Sequence, residues 1–420
     1  MKFKQKNKKQ IVFLEPFPTV MVYKIARLFR KKGYKTILII LLESKGASKE
    51  FHKGAFDKII FFDLSFFKIN LKNVHLILMS LVKKLKGLIE SIISILKLKP
   101  YVIFTRGSPS WPCALTMKLF KKIPIIYFPY DIRCQYYKSV EHAIKFGGMS
   151  KFELKAERFC FENADGIIHK GYPRELEFLN GRMLGDKIKL SPLTLSFLPY
   201  CSKEFNVPIN KNKLSRKDKE IHIVHIDSMG SVGPIGARYV YNTLKDLVNQ
   251  KIHIHIYSRP NSISKEQLMK FFKEESEFTK SYGSLLKSNY FHLHSPLEPD
   301  KIAAEISNYD YGLYPSGPKT ELSEYDLELK FSTGNKIASY LEAGLPLIYE
   351  DDAIFTGELL TNYKINIPYK IQNLKTLKKR LNKLNYSKLI ENVKKARKDF
   401  DMNKNFPRLE KFVKNVVKDK

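Results

Sequence analysis

Residues 220–257, EIHIVHIDSMGSVGPIGARYVYNTLKDLVNQKIHIHIY, decide the fold. IHIVHI has the length and β-branched content of a strand, MGSVGPIG is a glycine-containing turn, 237–249 carries helical spacing, and IHIHIY is a second strand. Two strands joined through a helix lie parallel in one sheet. The histidines of IHIVHI and IHIHIY recur at strand spacing, which assigns them to filling the faces of that sheet. The alternation continues through a strand at 290–293, a helix near 299–307, YDYGLYP, a helix over 334–343 and the strand PLIYE.

Upstream, the same grammar has already been used once. IVFLEPF, KTILIILL (35–42), KIIFF (58–62), YVIFT (101–105) and PIIYF (124–128) read as strands, with helices over 20–32 and 112–121. The polar, lysine-rich stretch 203–219 separates the two series and suits a linker. The expected architecture is therefore α/β, with two Rossmann-like domains facing a cleft: 1–202, a linker at 203–219, and 220–400. A helical, basic segment at 401–420 is placed to pack back on the first domain. Ligands of such sheets sit beyond the carboxyl ends of the strands.

Composition narrows the function. A chain of 420 residues, 44% hydrophobic and 13% aromatic, has material for two cores. No stretch reaches the roughly 18–20 uninterrupted apolar residues that cross a bilayer, and the run IVFL after the basic MKFKQKNKKQ is too short for a signal-peptide core. The chain is expected in the cytoplasm. Cys113, Cys134, Cys160 and Cys201 show no C-x-x-C spacing, and H-E-x-x-H is absent, so buried thiols and no metal site are expected.

Net charge is +32, unevenly spread: residues 1–150 hold 29 Lys and Arg against 8 Asp and Glu, while 301–350 hold 4 against 8. A basic face suits anionic lipid or nucleic acid, and a lysine-favouring genome composition competes with both. Segment 70–99 adds apolar residues at helical spacing with lysines at 83, 84, 86, 97 and 99. It reads either as a basic amphipathic helix in the lipid interface or as a core-facing helix with solvated lysines.

Three segments resemble a GT-B glycosyltransferase, broadly of the family 4 (group 1) kind. FSTGNKIASYLEAGLPLIYED (331–351) is similar to the N-K-x-x-x-Y-L-x-x-G-x-P-(V/I)-I signature of the donor domain, matching at Asn335, Lys336, Tyr340, Leu341, Gly344, Pro346 and Ile348. ERFCFENADGIIHKGYPRELEFL, from Glu157, resembles the helix-to-strand passage with an Ala164–Asp165 pair. The strand and turn with Gly230 and Ser231 open the second domain. The resemblance implies a nucleotide-diphosphate sugar as co-substrate, no bound cofactor, and a sugar-transfer reaction. It also shows departures. An acidic residue often stands where this chain has Ser339, the E-x7-E pair of many retaining members falls on Phe331 and Ser339, and the first domain's glycine turn is replaced by EPFPTVMV.

Physical chemistry singles out the same region. Ser332, Thr333, Gly334 and Asn335 precede a helix, and Lys336 opens it, so N–H groups, hydroxyls and a cation converge where a helix already favours phosphate. Arg259, after IHIHIYS, is a second candidate cation, and Gly230 and Ser231 allow close approach of the chain to the donor. Ser339 is a weaker ribose contact than a carboxylate. Asp131, after PIIYFPY, stands at the place of the family's histidine-aspartate step with Tyr130 in the histidine position; it is the candidate proton acceptor, with a turn or N-cap role as the alternative. Arg106 and Arg133 are candidates for an acceptor phosphate, with surface pairing as the alternative. His169 follows a strand and reads as structural, and ELSEYDLE (321–328) reads as a solvated loop from which Glu328 could reach a sugar hydroxyl.

The expected function is sugar transfer to a lipid-linked or polysaccharide acceptor by an enzyme peripheral to the inner face of the cell membrane, with an anionic membrane surface as partner. The alternatives are a catalytically silent GT-B-like protein binding polyanions or a partner, and a nucleic-acid-modifying glycosyltransferase; no nucleic-acid module supports the latter.

Overall fold

The computed structural model describes residues 9–16, 19–41, 49–62, 89–90, 92–107, 109–129, 131–173, 175–179, 188–226, 240–257, 277–295, 297–315 and 327–420. The first sheet consists of β1 (Gln10–Glu15), β2 (Lys35–Ile40), β3 (Lys58–Phe61), β4 (Val102–Arg106), β5 (Ile125–Phe128), β6 (Gly166–His169) and β7 (Thr194–Ser196). Their order is β3-β2-β1-β4-β5-β6-β7, with every pairing parallel. The second sheet takes β8 (His222–His225), β9 (His253–Tyr257), β10 (Phe291–His294), β11 (Tyr311–Tyr314), β12 (Leu347–Glu350) and β13 (Asn366–Tyr369), ordered β10-β9-β8-β11-β12-β13 and again parallel. The central strands are buried because helices cover both faces of a parallel sheet; β4, for example, is buried at all five residues. Strand order reverses between β1 and β4 and again between β8 and β11, and a crevice opens beyond the carboxyl ends at each such point.

The donor-domain signature is explained in large part by packing. Tyr340, fully buried, sends its hydroxyl to the Leu313 carbonyl (2.8 Å) and receives the Ile226 N–H (3.2 Å), tying β11 to the end of β8 at the reversal point. Gly344 caps the helix Lys336–Ala343 at φ +76°, a left-handed conformation that favours glycine. The Pro346 carbonyl accepts the Gly312 N–H at 3.0 Å, starting the pairing of β12 with β11.

The chain crosses between domains twice. Residues after β7 lead to the second domain, and the helix Met402–Asp419 returns to lie on the first. Its Phe406 meets Phe29 edge-on at 4.8 Å, Phe412 and Val416 pack over Gly166, and Lys420 reaches Asp165 at 2.9 Å. One continuous apolar cluster therefore runs from Phe13 and Phe104 through Phe406 and Val413 to Ile337 and Leu341. Beside the crossing, Lys24 of the first domain holds Glu342 of the helix Lys336–Ala343 at 2.5 Å, both enclosed, and the Ser202 N–H donates to the same carboxylate at 2.6 Å. Burial raises the Glu342 carboxyl and Lys24 pulls it back.

Of segment 70–99, residues 70–88 and 91 lie outside the described residues. Residues 92–98 are helical. Ile95 is buried in the first domain's core, while Ile89, Ile93 and Leu96 are 48, 43 and 55% exposed. Among the described residues no helix is long and apolar enough to cross a membrane.

Candidate active site

The carboxyl ends of both sheets meet at one cluster. Asp131 follows β5, His169 ends β6 and Lys170 follows it. From the other domain, the short helix Leu327–Phe331 after β11 supplies Glu328. Lys170 Nζ lies 2.6 Å from Asp131 Oδ1 and 3.1 Å from Glu328 Oε1. Glu328 also accepts the Ile132 N–H at 3.3 Å, so this single carboxylate grips both the lysine and the turn that carries Asp131. Lys170 and Glu328 are buried, whereas the Asp131 side chain keeps 32% of its surface open to the cleft.

A further carboxylate stands behind this pair. Glu175 Oε2 lies 2.7 Å from His169 Nδ1, and Gln135 donates to the Glu175 carbonyl at 3.1 Å. The seam is tight here. The Tyr172 N–H donates to the Phe331 carbonyl across the domains at 2.7 Å, and a Cβ on Gly171 would run into that carbonyl and into Glu175. Phe178 stacks on Phe331, with centroids 4.5 Å apart.

The electrostatics follow from enclosure. Burial pushes the Glu328 carboxyl up to about 8 against the pull of Lys170, with Glu175 and Asp131 adding repulsion. Burial likewise takes Glu175 up to about 8, with Lys170, the Gly171 N–H and the Ser332 hydroxyl pulling it down. Burial alone lowers His169 to about 4, so the imidazole is neutral. At neutral pH the two glutamates are mostly protonated, and the one charge of Lys170 is matched by Asp131. The cleft thus sets one half-exposed carboxylate against a buried cation, with protonated acids behind it.

The residues that the sequence offered for a nucleotide lie next to this cluster. Ser332 and Thr333 are buried, and Thr356 donates to the Thr333 hydroxyl at 3.4 Å. Gly334 passes against Tyr314, at the end of β11, and Lys336 Nζ lies 4.8 Å above the same ring. Asn335 occupies the N-cap position of the helix Lys336–Ala343 without a side-chain cap bond, and Ser339 is half-buried on that helix. Gly230, Ser231 and Arg259 lie outside the described residues.

Two readings of the sequence are corrected. Arg106 does not face an acceptor: it is 3% exposed, and its Nε sits 2.8 Å from Glu15 at the reversal point of the first sheet. Burial raises Glu15 to about 7, with Arg106 opposing, so the arginine's charge serves that enclosed carboxyl. ELSEYDLE is not solvated at its end, because Glu328 is buried under the opposite domain. Arg133 is half-buried in the turn after Asp131; its backbone N–H, at 2.9 Å, and that of Cys134, at 3.3 Å, donate to buried Glu157. The four cysteines are buried.

Two parallel sheets, each with its reversal point, joined so that their carboxyl edges meet, define the GT-B glycosyltransferase fold. Solved structures of that fold superpose over the whole chain. Sucrose-phosphate synthase from Thermosynechococcus elongatus is 12% identical with a TM-score of 0.65, covering 98% of this chain and 100% of that one. HepE of Anabaena, in complex with UDP and glucose, is 13% identical with a TM-score of 0.62, covering 97% and 100%. A glycosyltransferase from Rickettsia africae is 14% identical with a TM-score of 0.56, covering 99% and 100%. Residues 254–408 match the family described as glucosyltransferase 3-like, C-terminal domain, a match that takes in the donor-side helix and the cluster's Glu328. The chain therefore has the GT-B fold, and its second domain is similar to the C-terminal domain of glucosyltransferase 3-like proteins. Among curated proteins, none matches the chain in sequence.

Proposed function

We propose that the chain transfers a sugar from a nucleotide-diphosphate donor to a hydroxyl of a glycan or lipid-linked acceptor, with Asp131 as proton acceptor. The observation that carries this reading is the meeting of Asp131, Lys170 and Glu328 across the domain seam, beside the amino end of the helix Lys336–Ala343. The donor diphosphate is assigned to the backbone N–H groups around 333–336 and to the Lys336 ammonium, where fixed positive charge stabilises the leaving group. Lys170 orients Asp131, and Glu328 locks Lys170. HepE, which shares the fold, was solved with UDP and glucose, and this supports a nucleotide donor for the present chain.

The test is thermal stabilisation against a panel of nucleoside diphosphates and nucleotide sugars, because a ligand bound only by the folded state raises its apparent stability. Selective stabilisation by one nucleotide, followed by release of that nucleotide with an acceptor present, is the expected result. A panel without effect returns the protein to the silent polyanion- or partner-binding alternative. Lys336→Ala is expected to weaken the effective nucleoside diphosphate by about 1.5–3 kcal/mol, the worth of a charge-assisted hydrogen bond. Calorimetry showing unchanged affinity in the folded variant removes Lys336 from the site.

The acceptor side carries a membrane reading. Ile89, Ile93 and Leu96 follow helical spacing and are exposed, Lys97 and Lys99 adjoin them, and the first domain is strongly basic. The assigned role of this face is to lie on anionic lipid, where a lysine near the surface contributes roughly 1 kcal/mol. Ile89→Ser combined with Ile93→Ser and Leu96→Ser is expected to move the protein from anionic vesicles to the supernatant in sedimentation while nucleotide binding stays intact. Equal sedimentation of parent and variant returns this face to the protein's own packing.

A further inference from the structure

Half of the chain's ten histidines line one face of the second sheet. His222 of β8 stands opposite His253 of β9, His255 lies opposite His292 of β10, and His294 lies opposite Tyr257. Their rings form a stack: His222 and His253 are 4.5 Å apart and 5° from parallel, and His255 and His292 are 4.4 Å apart. A neutral imidazole is the form that ligates a metal.

At the amino end of this face stands Asp218, which closes the short helix before β8. One carboxylate oxygen of Asp218, one nitrogen of His222 and one of His253 all lie within 4.8 Å of one another. We propose that Asp218, His222 and His253 form a binding site for a divalent transition-metal ion of the zinc kind, completed by solvent. Two imidazoles and a carboxylate are a donor set that such an ion accepts.

The surroundings are those of a ligated site. His222 Nδ1 lies 2.9 Å from His255 Nε2, and His253 Nδ1 lies 2.9 Å from His292 Nε2, so each ligand ring is oriented by a hydrogen bond at its other nitrogen. The chain continues from His255 Nδ1 to His294 Nε2 at 2.9 Å. Without metal, His222 Nε2 donates to the Asp218 carboxylate at 2.8 Å, His255 Nε2 donates to His222 Nδ1, and His294 Nε2 donates to His255 Nδ1. A metal on His222 Nε2 moves that ring's proton to Nδ1, which then donates to His255, and His255 in turn donates to His294. Each imidazole keeps one proton, and the direction of the chain reverses. Asp218 precedes β8, and His222 and His253 open β8 and β9, so the site lies at the edge of the sheet opposite the carboxyl ends that meet Asp131. Its role is to fasten strands, separate from sugar transfer.

The test uses the full chain freed of metal with chelator and then titrated with Zn²⁺ by calorimetry. The expected result is one saturable ion per chain, a rise in melting temperature on loading, and a loss of at least 100-fold in affinity in Asp218→Asn/His253→Ala. His142→Ala, which removes a histidine from the other domain, keeps the parent's affinity. Co²⁺ loading of the parent is expected to give the intense visible bands of a four-coordinate ion. Absence of a saturable site, parental affinity in the double variant, or only the weak spectrum of six-coordinate Co²⁺ overturns the proposal. Nucleotide binding by the metal-free protein is unaffected, so this failure is distinct from failure of the transferase reading.

Discussion

Lys170→Met is expected to be the most damaging single substitution in the cleft, costing about 3–5 kcal/mol of stability at high pH because it strips a buried cation from the carboxylates around it. Its methylene stem is conserved, so the loss is electrostatic. The pH dependence identifies the cause. Glu175 and Glu328 already have folded-state pKa values near 8, above the ordinary 4.5, so their effect on stability becomes less favourable as pH rises from 4.5 towards 8 and levels off beyond it. Without Lys170 both values move higher, and the unfavourable slope continues past 8. The gap in melting temperature between parent and variant should therefore be small at pH 6 and wide at pH 9. Adding Glu328→Gln should narrow it, since an amide needs no cation. A gap independent of pH would mean that Lys170 acts through packing alone.

Asp131→Asn is expected to lower turnover by about 10²–10⁴-fold, the range for removing a positioned general base, while nucleotide affinity stays at the parental value. In the proposed reaction this half-exposed carboxylate, 2.6 Å from the lysine, takes the proton of the acceptor hydroxyl. The amide keeps the shape and loses the proton acceptor. Full transfer activity in this variant would leave Asp131 as a residue that merely holds the turn after β5, together with Glu157.

The architecture was legible because βαβ periodicity is local: strands over 220–226 and 252–257, with a helix between them, announce a parallel sheet without any knowledge of the partner domain. The helix Lys336–Ala343 was legible through the 331–351 motif, and the structure gives Tyr340, Gly344 and Pro346 structural work. The cluster was half legible. Asp131 stood out as an acid at a strand's end. Lys170 and Glu328 did not, because each looks solvated in its own segment and becomes enclosed only when the two domains close over them. Arg106 misled for the same reason in reverse, since its partner Glu15 is 91 positions away in sequence. Glu328 had one faint signal: an acid three residues before Phe331, where the resembled family's acidic pair would begin.

The returning helix Met402–Asp419 has a consequence for building hybrid enzymes. In this chain the structural modules are not contiguous in sequence, because the final helix belongs to the body that begins at β1. Grafting another donor half at a single cut after the linker would import a foreign helix onto Phe29 and Gly166. A hybrid made with two cuts, one near residue 202 and one near residue 401, keeps the native helix on its own bed. Recombination between chains built this way is therefore expected to succeed most readily as the insertion of an internal cassette.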